Sequence, residues 1–113
     1  MFKETLLNNF KDRRDELRND IKDLYIGLKN YQPGTVFING KYVYVKYYEN
    51  GKTISKYVGS NLSDNEIEDL RRSTKNHKTI LYRIKEESKE LKEIEKLISR
   101  YGGKKWTTKE SKF

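Results

Sequence analysis

Hydrophobic residues in the first thirty positions recur at alternating spacings of three and four, the period of a helix that buries one face. The stripe consists of Leu7, Phe10, Leu17, Ile21, Leu24, Leu28 and Tyr31, with the charged Arg14 inside it. Pro33 disfavours helical geometry at the residue before it. The pattern therefore predicts a helix over residues 3–31 that ends at Gln32-Pro33-Gly34.

Residues 34–59 are rich in β-branched and aromatic side chains, and the dipeptides Asn39-Gly40 and Asn50-Gly51 interrupt them. Asn-Gly is typical of two-residue type I′ hairpins, because both residues tolerate a positive φ. The segment therefore predicts an antiparallel three-stranded meander with strands at 34–38, 41–48 and 52–58.

Two-residue turns at both dipeptides would set the strand register and sort the side chains to two faces. The expected partners are Ile38 with Lys41, Val36 with Val43, Tyr47 with Ile54, and Val43 with Val58. One face would be mainly aliphatic: Val36, Ile38, Val43, Val45, Tyr47, Ile54 and Val58, with Lys41 and Lys56. The other would be aromatic and polar: Thr35, Phe37, Tyr42, Tyr44, Lys46, Tyr48, Thr53, Ser55 and Tyr57.

A second long helix is predicted after the strands. Ser63 and Glu66 have the spacing of a capping box, in which each side chain bonds the other residue's backbone N–H. Apolar positions then keep a helical spacing over residues 64–100, up to Gly102-Gly103. The expected fold class is α+β, with two long helices forming a helical hairpin and a small sheet. We expect one domain over residues 1–103 and a flexible basic tail over 104–113.

The residue types needed for catalysis are scarce. There is no cysteine, which excludes disulfides, thiolate metal sites and a cysteine nucleophile. His77 is the single histidine and falls on the apolar stripe of the second helix, the position of a packed residue. Glu86, Glu87 and Glu93 alternate with lysines as surface pairs do. We therefore expect a protein without catalytic residues, metal or cofactor, which acts by binding.

The net charge is +8, and its excess lies between the helices and in the tail. Residues 31–62 carry four lysines against Glu49 alone, whereas charges in both helices are nearly balanced. Basic patches of this kind favour nucleic acid as a partner. No apolar run reaches the length of a membrane span or a signal peptide, so we expect a cytoplasmic protein without a membrane partner.

Two segments combine positive charge with residues suited to nucleic acid. On the aromatic face, tyrosines would stack on bases or meet base edges while lysines neutralise phosphates. At the start of the second helix, a basic run would follow a phosphate backbone. The candidate binding residues are Tyr42, Tyr44, Lys46, Tyr48, Lys52, Arg71, Arg72 and Lys75. Two alternatives stay open: the tyrosines pack under a helix as cross-strand pairs, and the basic run is a solvated helix face.

The stretch GTVFINGKYVYVKYYENGKTISKYVG, followed by a helix, resembles the amino-terminal arm-type DNA-binding domain of phage and transposon tyrosine recombinases. The resemblance rests on Gly34-Thr35, on Gly40-Lys41-Tyr42 and on Gly51-Lys52, which correspond to the starts of that family's three strands. It implies a sheet that enters the DNA major groove. It covers about a quarter of the chain and implies no recombinase activity, and the long flanking helices have no counterpart in that domain.

The function expected from these features is that of a small nucleic-acid-binding accessory protein of a bacterium, phage or mobile element, with DNA favoured over RNA. The alternative is a protein-interaction module, such as an anti-CRISPR-like, phage-encoded inhibitor of a host nuclease. An exposed part of either helical stripe would also allow the chain to form a homodimer. A coiled-coil oligomer is disfavoured because Arg14, Thr74, His77 and Ser88 are poor seam residues.

Overall fold

A computed structural model describes residues 2–102, with side chains from residue 4 onward. Its elements are α1 (Phe2–Leu28), β1 (Thr35–Asn39), β2 (Tyr42–Glu49), β3 (Lys52–Ser60) and α2 (Asp64–Gly102). The expected α+β fold with two long helices and a three-stranded meander is confirmed, while the predicted tail lies outside the described residues. The chain divides into two compact units, one formed by residues up to Tyr25 and from Arg83 onward, the other by Ile26–Tyr82.

The first unit is an antiparallel pair of helical segments. Leu17 and Leu24, seven residues apart on α1, are buried together with Ile84 of α2. Near the termini the Phe10 and Tyr101 rings lie 6.3 Å apart. Because the early residues of α1 meet the last residues of α2, the two apolar stripes close a common core.

Ion pairs line both sides of this core. Arg13 contacts Glu90 at 2.8 Å, and Arg83 contacts Asp20 at 3.0 Å. Arg18 contacts Glu95 at 2.8 Å. Since Arg18 lies five residues after Arg13, helical periodicity places it on the opposite flank of α1. Exposed pairs of this kind add little stability each, but together they favour one register of the two helices.

Glu87 departs from the expectation that the acids of α2 form surface pairs. Its side chain is only 17% exposed and shares Arg83 with Asp20, with Arg83 3.0 Å from each carboxylate. Its second oxygen, Oε1, is buried without a hydrogen-bond donor. A hydrogen bond to Asp20 together with burial raises the pKa of Glu87, because the proton lets one carboxyl donate to the other.

In the second unit, α1 ends at Leu28, three residues before the predicted end. The N–H groups of Lys29, Asn30 and Tyr31 bond the carbonyls three residues earlier, so the helix tightens into its last turn. The start of α2 matches the prediction. Ser63 N–H donates to Glu66 Oε1 at 2.9 Å, and Glu66 N–H donates to Ser63 Oγ at 3.2 Å.

The first hairpin has a different register from the predicted one. Asn39 pairs with Tyr42, so the two turn residues are Gly40 and Lys41, and Ile38 faces Val43 instead of Lys41. Gly40 has a φ of 63°. A positive φ at the first turn residue alone is the type II′ pattern, for which glycine is suited. The shift of two residues preserves the faces of β1 relative to β2, because strand side chains alternate.

The second hairpin follows the predicted turn. Asn50 and Gly51 have φ values of 52° and 78°, and Tyr47 pairs with Ile54 as expected. Further along, a bulge between Val43 and Tyr44 changes the register, so Val43 pairs with Gly59 and not with Val58. The predicted pairing of Val43 with Val58 is therefore wrong, and the Val58 side chain is 39% exposed.

Gly34 joins the helical part of the second unit to the sheet. Its φ is 100°, and a Cβ at this position would collide with the carbonyl oxygen of Lys46 on β2. We expect Gly34→Ala to destabilise the fold by at least about 2 kcal/mol, because both the backbone conformation and the contact oppose a side chain. Denaturant unfolding of the variant measures this loss.

Gly27→Ala is the matched control, because Gly27 lies in α1 and a Cβ there would meet nothing within 4 Å. Alanine is the better helix former, so this variant should gain about 0.5–1 kcal/mol. Equal effects of the two substitutions would contradict the close approach of Gly34 to β2.

The pKa shift of Glu87 predicts a pH-dependent effect of Glu87→Gln. A raised pKa means that the folded state holds this proton more tightly than the unfolded chain, so stability is lost as pH rises through the folded pKa. The glutamine removes that loss and can donate to Asp20 at every pH. The variant should therefore gain stability relative to the original chain between pH 4 and pH 7, measured by denaturant unfolding.

Glu86→Gln serves as its control, because Glu86 is exposed. Its stability difference from the original chain should stay nearly constant over the same range. A Glu87→Gln difference that shrinks with rising pH would mean that Asp20 and Glu87 do not share a proton.

Candidate nucleic-acid interface

One face of the sheet is covered by the helical part of the second unit. Val43 and Val45 on the central strand are 2% and 0% exposed. The linker before β1 is fixed to α2, where Gln32 N–H donates to Ser73 Oγ at 2.8 Å. Thr74, one position further along α2, is also buried. The covered face therefore holds the core of this unit.

The opposite face of the sheet is open. Cross-strand partners arrange its side chains in rows, and one row consists of Phe37, Tyr44 and Tyr57, one from each strand. Phe37 is 47% exposed and Tyr57 53% exposed, while Tyr44 between them is half-buried. The alternative in which a helix covers these tyrosines is wrong, because Tyr42 and Tyr57 are exposed and the helical part of the second unit lies against the other face.

Ring contacts hold this surface in one arrangement. The rings of Tyr44 and Tyr57 lie 5.5 Å apart with an interplanar angle of 61°, an edge-to-face contact. Tyr42 lies diagonally from Tyr57 at 6.4 Å. The Lys46 ammonium sits 3.8 Å from the centre of the Phe37 ring. We call the set Phe37, Tyr42, Tyr44, Lys46 and Tyr57 the open aromatic face.

Further lysines stand around the open aromatic face. Lys41 lies in the first turn, with its ammonium 5.4 Å from the Tyr42 ring. Tyr48 at the other end of the sheet is 74% exposed, whereas Lys52, which begins β3, pairs with Glu49 and therefore belongs to the opposite face. Lys78 of α2 donates to Thr35 Oγ1 at 2.9 Å, which places an ammonium beyond the β1 edge. Lys41 and Lys78 thus place positive charge at two borders of the aromatic row.

An open cleft of about 400 Å³ adjoins the same edge. β1 begins opposite Lys46, so Tyr47 and Tyr48 extend past it without a β1 partner. The cleft is lined by these residues together with Pro33, Gly34, Thr35, His77, Lys78 and Leu81. Burial lowers the pKa of His77, so its imidazole is neutral at pH 7.

The predicted site residues fall into two groups. Tyr42, Tyr44, Lys46 and Tyr48 lie on the open face, whereas Lys52 pairs with Glu49 and belongs to the opposite face. The three cationic residues Arg71, Arg72 and Lys75 are exposed on α2, which covers the other face. Arg72 is paired with Asp69 at 2.8 Å. The structure therefore brings the sheet residues together but leaves the helical run on the other side of the sheet.

Sequence reasoning did not select Phe37, Tyr57 or Lys78 as site residues. The alternation of the strands already placed Phe37 and Tyr57 on the aromatic face, so that signal was sufficient for both. Lys78 belongs to the basic run of α2, but only the fold shows that this lysine reaches the sheet at Thr35. Spacing along a helix carries no information on which residue meets another element.

The chain matches none of the family models, curated proteins or solved structures compared with it. Within residues 2–102, no cluster of His, Asp and Glu side chains could hold a metal ion. No helix in the same part of the chain has the length and apolarity needed to cross a membrane. The geometry of the open aromatic face is therefore the main basis for assigning a function.

Because one face of the sheet is covered and the other is open, substitutions on the two faces should change the free energy of unfolding by different amounts. Val45→Ala should lower the free energy of unfolding by about 2 kcal/mol, because it removes buried methyl groups and leaves a cavity. Tyr48→Ala should change it by less than about 0.5 kcal/mol, because Tyr48 is mostly in solvent. Urea unfolding compares the two, and a larger loss at Tyr48 would show that the open face is covered in solution.

Proposed function

We propose that this protein is a small, non-enzymatic nucleic-acid-binding protein, with DNA as the expected polymer and the open aromatic face as the contact surface. The observation that carries the proposal is the exposed row Phe37, Tyr44 and Tyr57 beside Lys46. Contiguous exposed apolar surface of this kind commonly marks an interaction site. The role of an accessory protein of a bacterium, phage or mobile element belongs to the same proposal.

The chemistry of this face suits a nucleic acid on two counts. Aromatic rings accept bases by stacking and contact the thymine methyl group, and each stacked base contributes about 1–3 kcal/mol. Ammonium groups on the rim neutralise phosphates and release counterions. Within the described sheet, Glu49 is the single acidic residue, and it lies at the turn opposite Lys52. Little negative charge therefore opposes a phosphate backbone.

The dimensions of the sheet favour duplex DNA. Three strands span roughly 10 Å from first to last, because neighbouring strands are about 4.8 Å apart. The major groove of B-DNA is about 12 Å wide, which is close to this span, and it admits a two-stranded β-ribbon. The helical part of the second unit lies behind the sheet and would stay outside the groove. This is also the binding mode implied by the resemblance to arm-type domains.

In this proposal the basic run of α2 has a secondary role. Arg71, Arg72 and Lys75 lie behind the sheet, and salt screens charges beyond about 8 Å at physiological ionic strength. They would attract the polymer over longer distances at low salt without contacting its phosphates. Substituting these three residues therefore tests whether the polymer contacts the open face or the helix.

Fluorescence anisotropy with labelled duplex DNA, single-stranded DNA and RNA over a salt series tests the proposal. We expect Tyr57→Ala to weaken single-stranded DNA binding by about tenfold, the loss of one stacking contact, and to weaken duplex binding through the loss of contacts with thymine methyl groups. Lys46→Ala should weaken binding and lower the log–log salt slope by about 0.9, the contribution of one phosphate contact. The duplex should bind most tightly of the three polymers.

Lys56→Ala is the matched control for Lys46→Ala, since Lys56 is an exposed strand lysine that pairs with Val45 and faces the other way. It should leave the slope unchanged, and Arg71→Ala/Arg72→Ala should weaken binding less than threefold. No binding at low salt would overturn the proposal. If the protein binds a protein partner through Tyr57 and binds none of the three nucleic acids, the protein-interaction alternative is supported.

A further inference from the structure

We infer that the cleft beside β1 binds a single nucleotide, with its phosphate between Lys46 and Lys78 and its base against the Tyr48 side of the cleft. The inference rests on the proposed function, because the nucleotide is taken as one unit of a bound strand, unstacked from its neighbours. The cleft would receive one base, whereas the open aromatic face would contact several.

The cleft has the charge that a phosphate requires. Lys46 and Lys78 both line it, and Thr35 accepts a hydrogen bond from the Lys78 ammonium at 2.9 Å. Thr35 and Lys46 are direct cross-strand partners, so the two lysines reach this end of the sheet from different elements. None of the nine residues that line the cleft is acidic. An anion is therefore favoured over a basic peptide.

The remaining lining suits a flat heteroaromatic ring. Tyr47 and Tyr48 extend past β1 and line the cleft, and Pro33 and Leu81 supply apolar surface. The neutral imidazole of His77 can donate one hydrogen bond and accept another, as the edge of a base requires. A volume of about 400 Å³ is large for a lone phosphate. It falls within the range of about 300–1,000 Å³ that small-molecule sites occupy.

The cleft is held open by local constraints and not by chance side-chain positions. Gly34 lies against the Lys46 carbonyl, and the bond from Gln32 N–H to Ser73 Oγ fixes the same linker to α2. Lys46 is further fixed over the Phe37 ring. Because the walls come from the linker, β2 and α2, they are positioned before any ligand arrives, which lowers the entropy lost on binding.

NMR titration of the full chain with thymidine 5′-monophosphate tests the inference, with inorganic phosphate and thymidine as separate arms. We expect the nucleotide to change the backbone amide chemical shifts of Gly34, His77 and Lys78 more than inorganic phosphate or thymidine does. Leu81→Glu places a carboxylate in the cleft and should weaken nucleotide binding at least about tenfold. Thr79→Glu adds the same charge at an exposed position outside the cleft and should weaken it less than threefold.

The outcomes separate this inference from the proposed function. If Leu81→Glu weakens single-stranded DNA binding and spares duplex DNA, the cleft receives an unstacked nucleotide of a strand. If inorganic phosphate shifts the same amides as strongly as the nucleotide, the cleft is an anion site and the inference is wrong. If the nucleotide shifts none of them while duplex binding still depends on Tyr57, the inference is wrong and the proposed function stands.

Discussion

Side chains of the central strand β2 alternate between the two faces of the sheet, and the helices of the second unit cover only one of those faces. Burying Val43 and Val45 therefore turns Tyr42, Tyr44 and Lys46 toward solvent. The hairpins on either side add Phe37 and Tyr57 to the same surface through their register. The burial of one side of β2 thus determines both the core of the second unit and the candidate binding surface.

The two outer strands adapt to this central strand in different ways. The first hairpin turns at Gly40-Lys41 and keeps the alternation of faces, so Phe37 still lies beside Tyr44. On β3 the bulge adds Val58 as an unpaired residue and brings Gly59 opposite Val43. A Cβ on Gly59 would lie 2.9 Å from Leu62, so glycine suits the tight connection that follows the bulge. The bulge comes after Tyr57, and the aromatic row is preserved.

The site combines residues that no single segment contains. Lys78 reaches the sheet from α2, and the linker at Gly34 closes over Lys46 from the other side. This convergence gives the open face an adjoining cleft that two lysines line. The helical run that contains Arg71 and Arg72 contributes to the electrostatic field but faces away from the sheet. Charge density along the sequence therefore did not show which basic residues lie at the sheet, whereas the alternation of the strands placed Lys46 there.

The sequence by itself determined the order and type of all five elements, the Asn50-Gly51 turn, the capping box at Ser63 and the division of the sheet into an aliphatic and an aromatic face. These follow from local periodicity and turn chemistry, which act within a few residues. Only the tertiary structure decided which face is open, where the first hairpin turns, how Glu87 meets Asp20 and Arg83, and that Lys78 joins the sheet. Each of these depends on contacts between residues far apart in the chain, whose free energies local patterns do not encode.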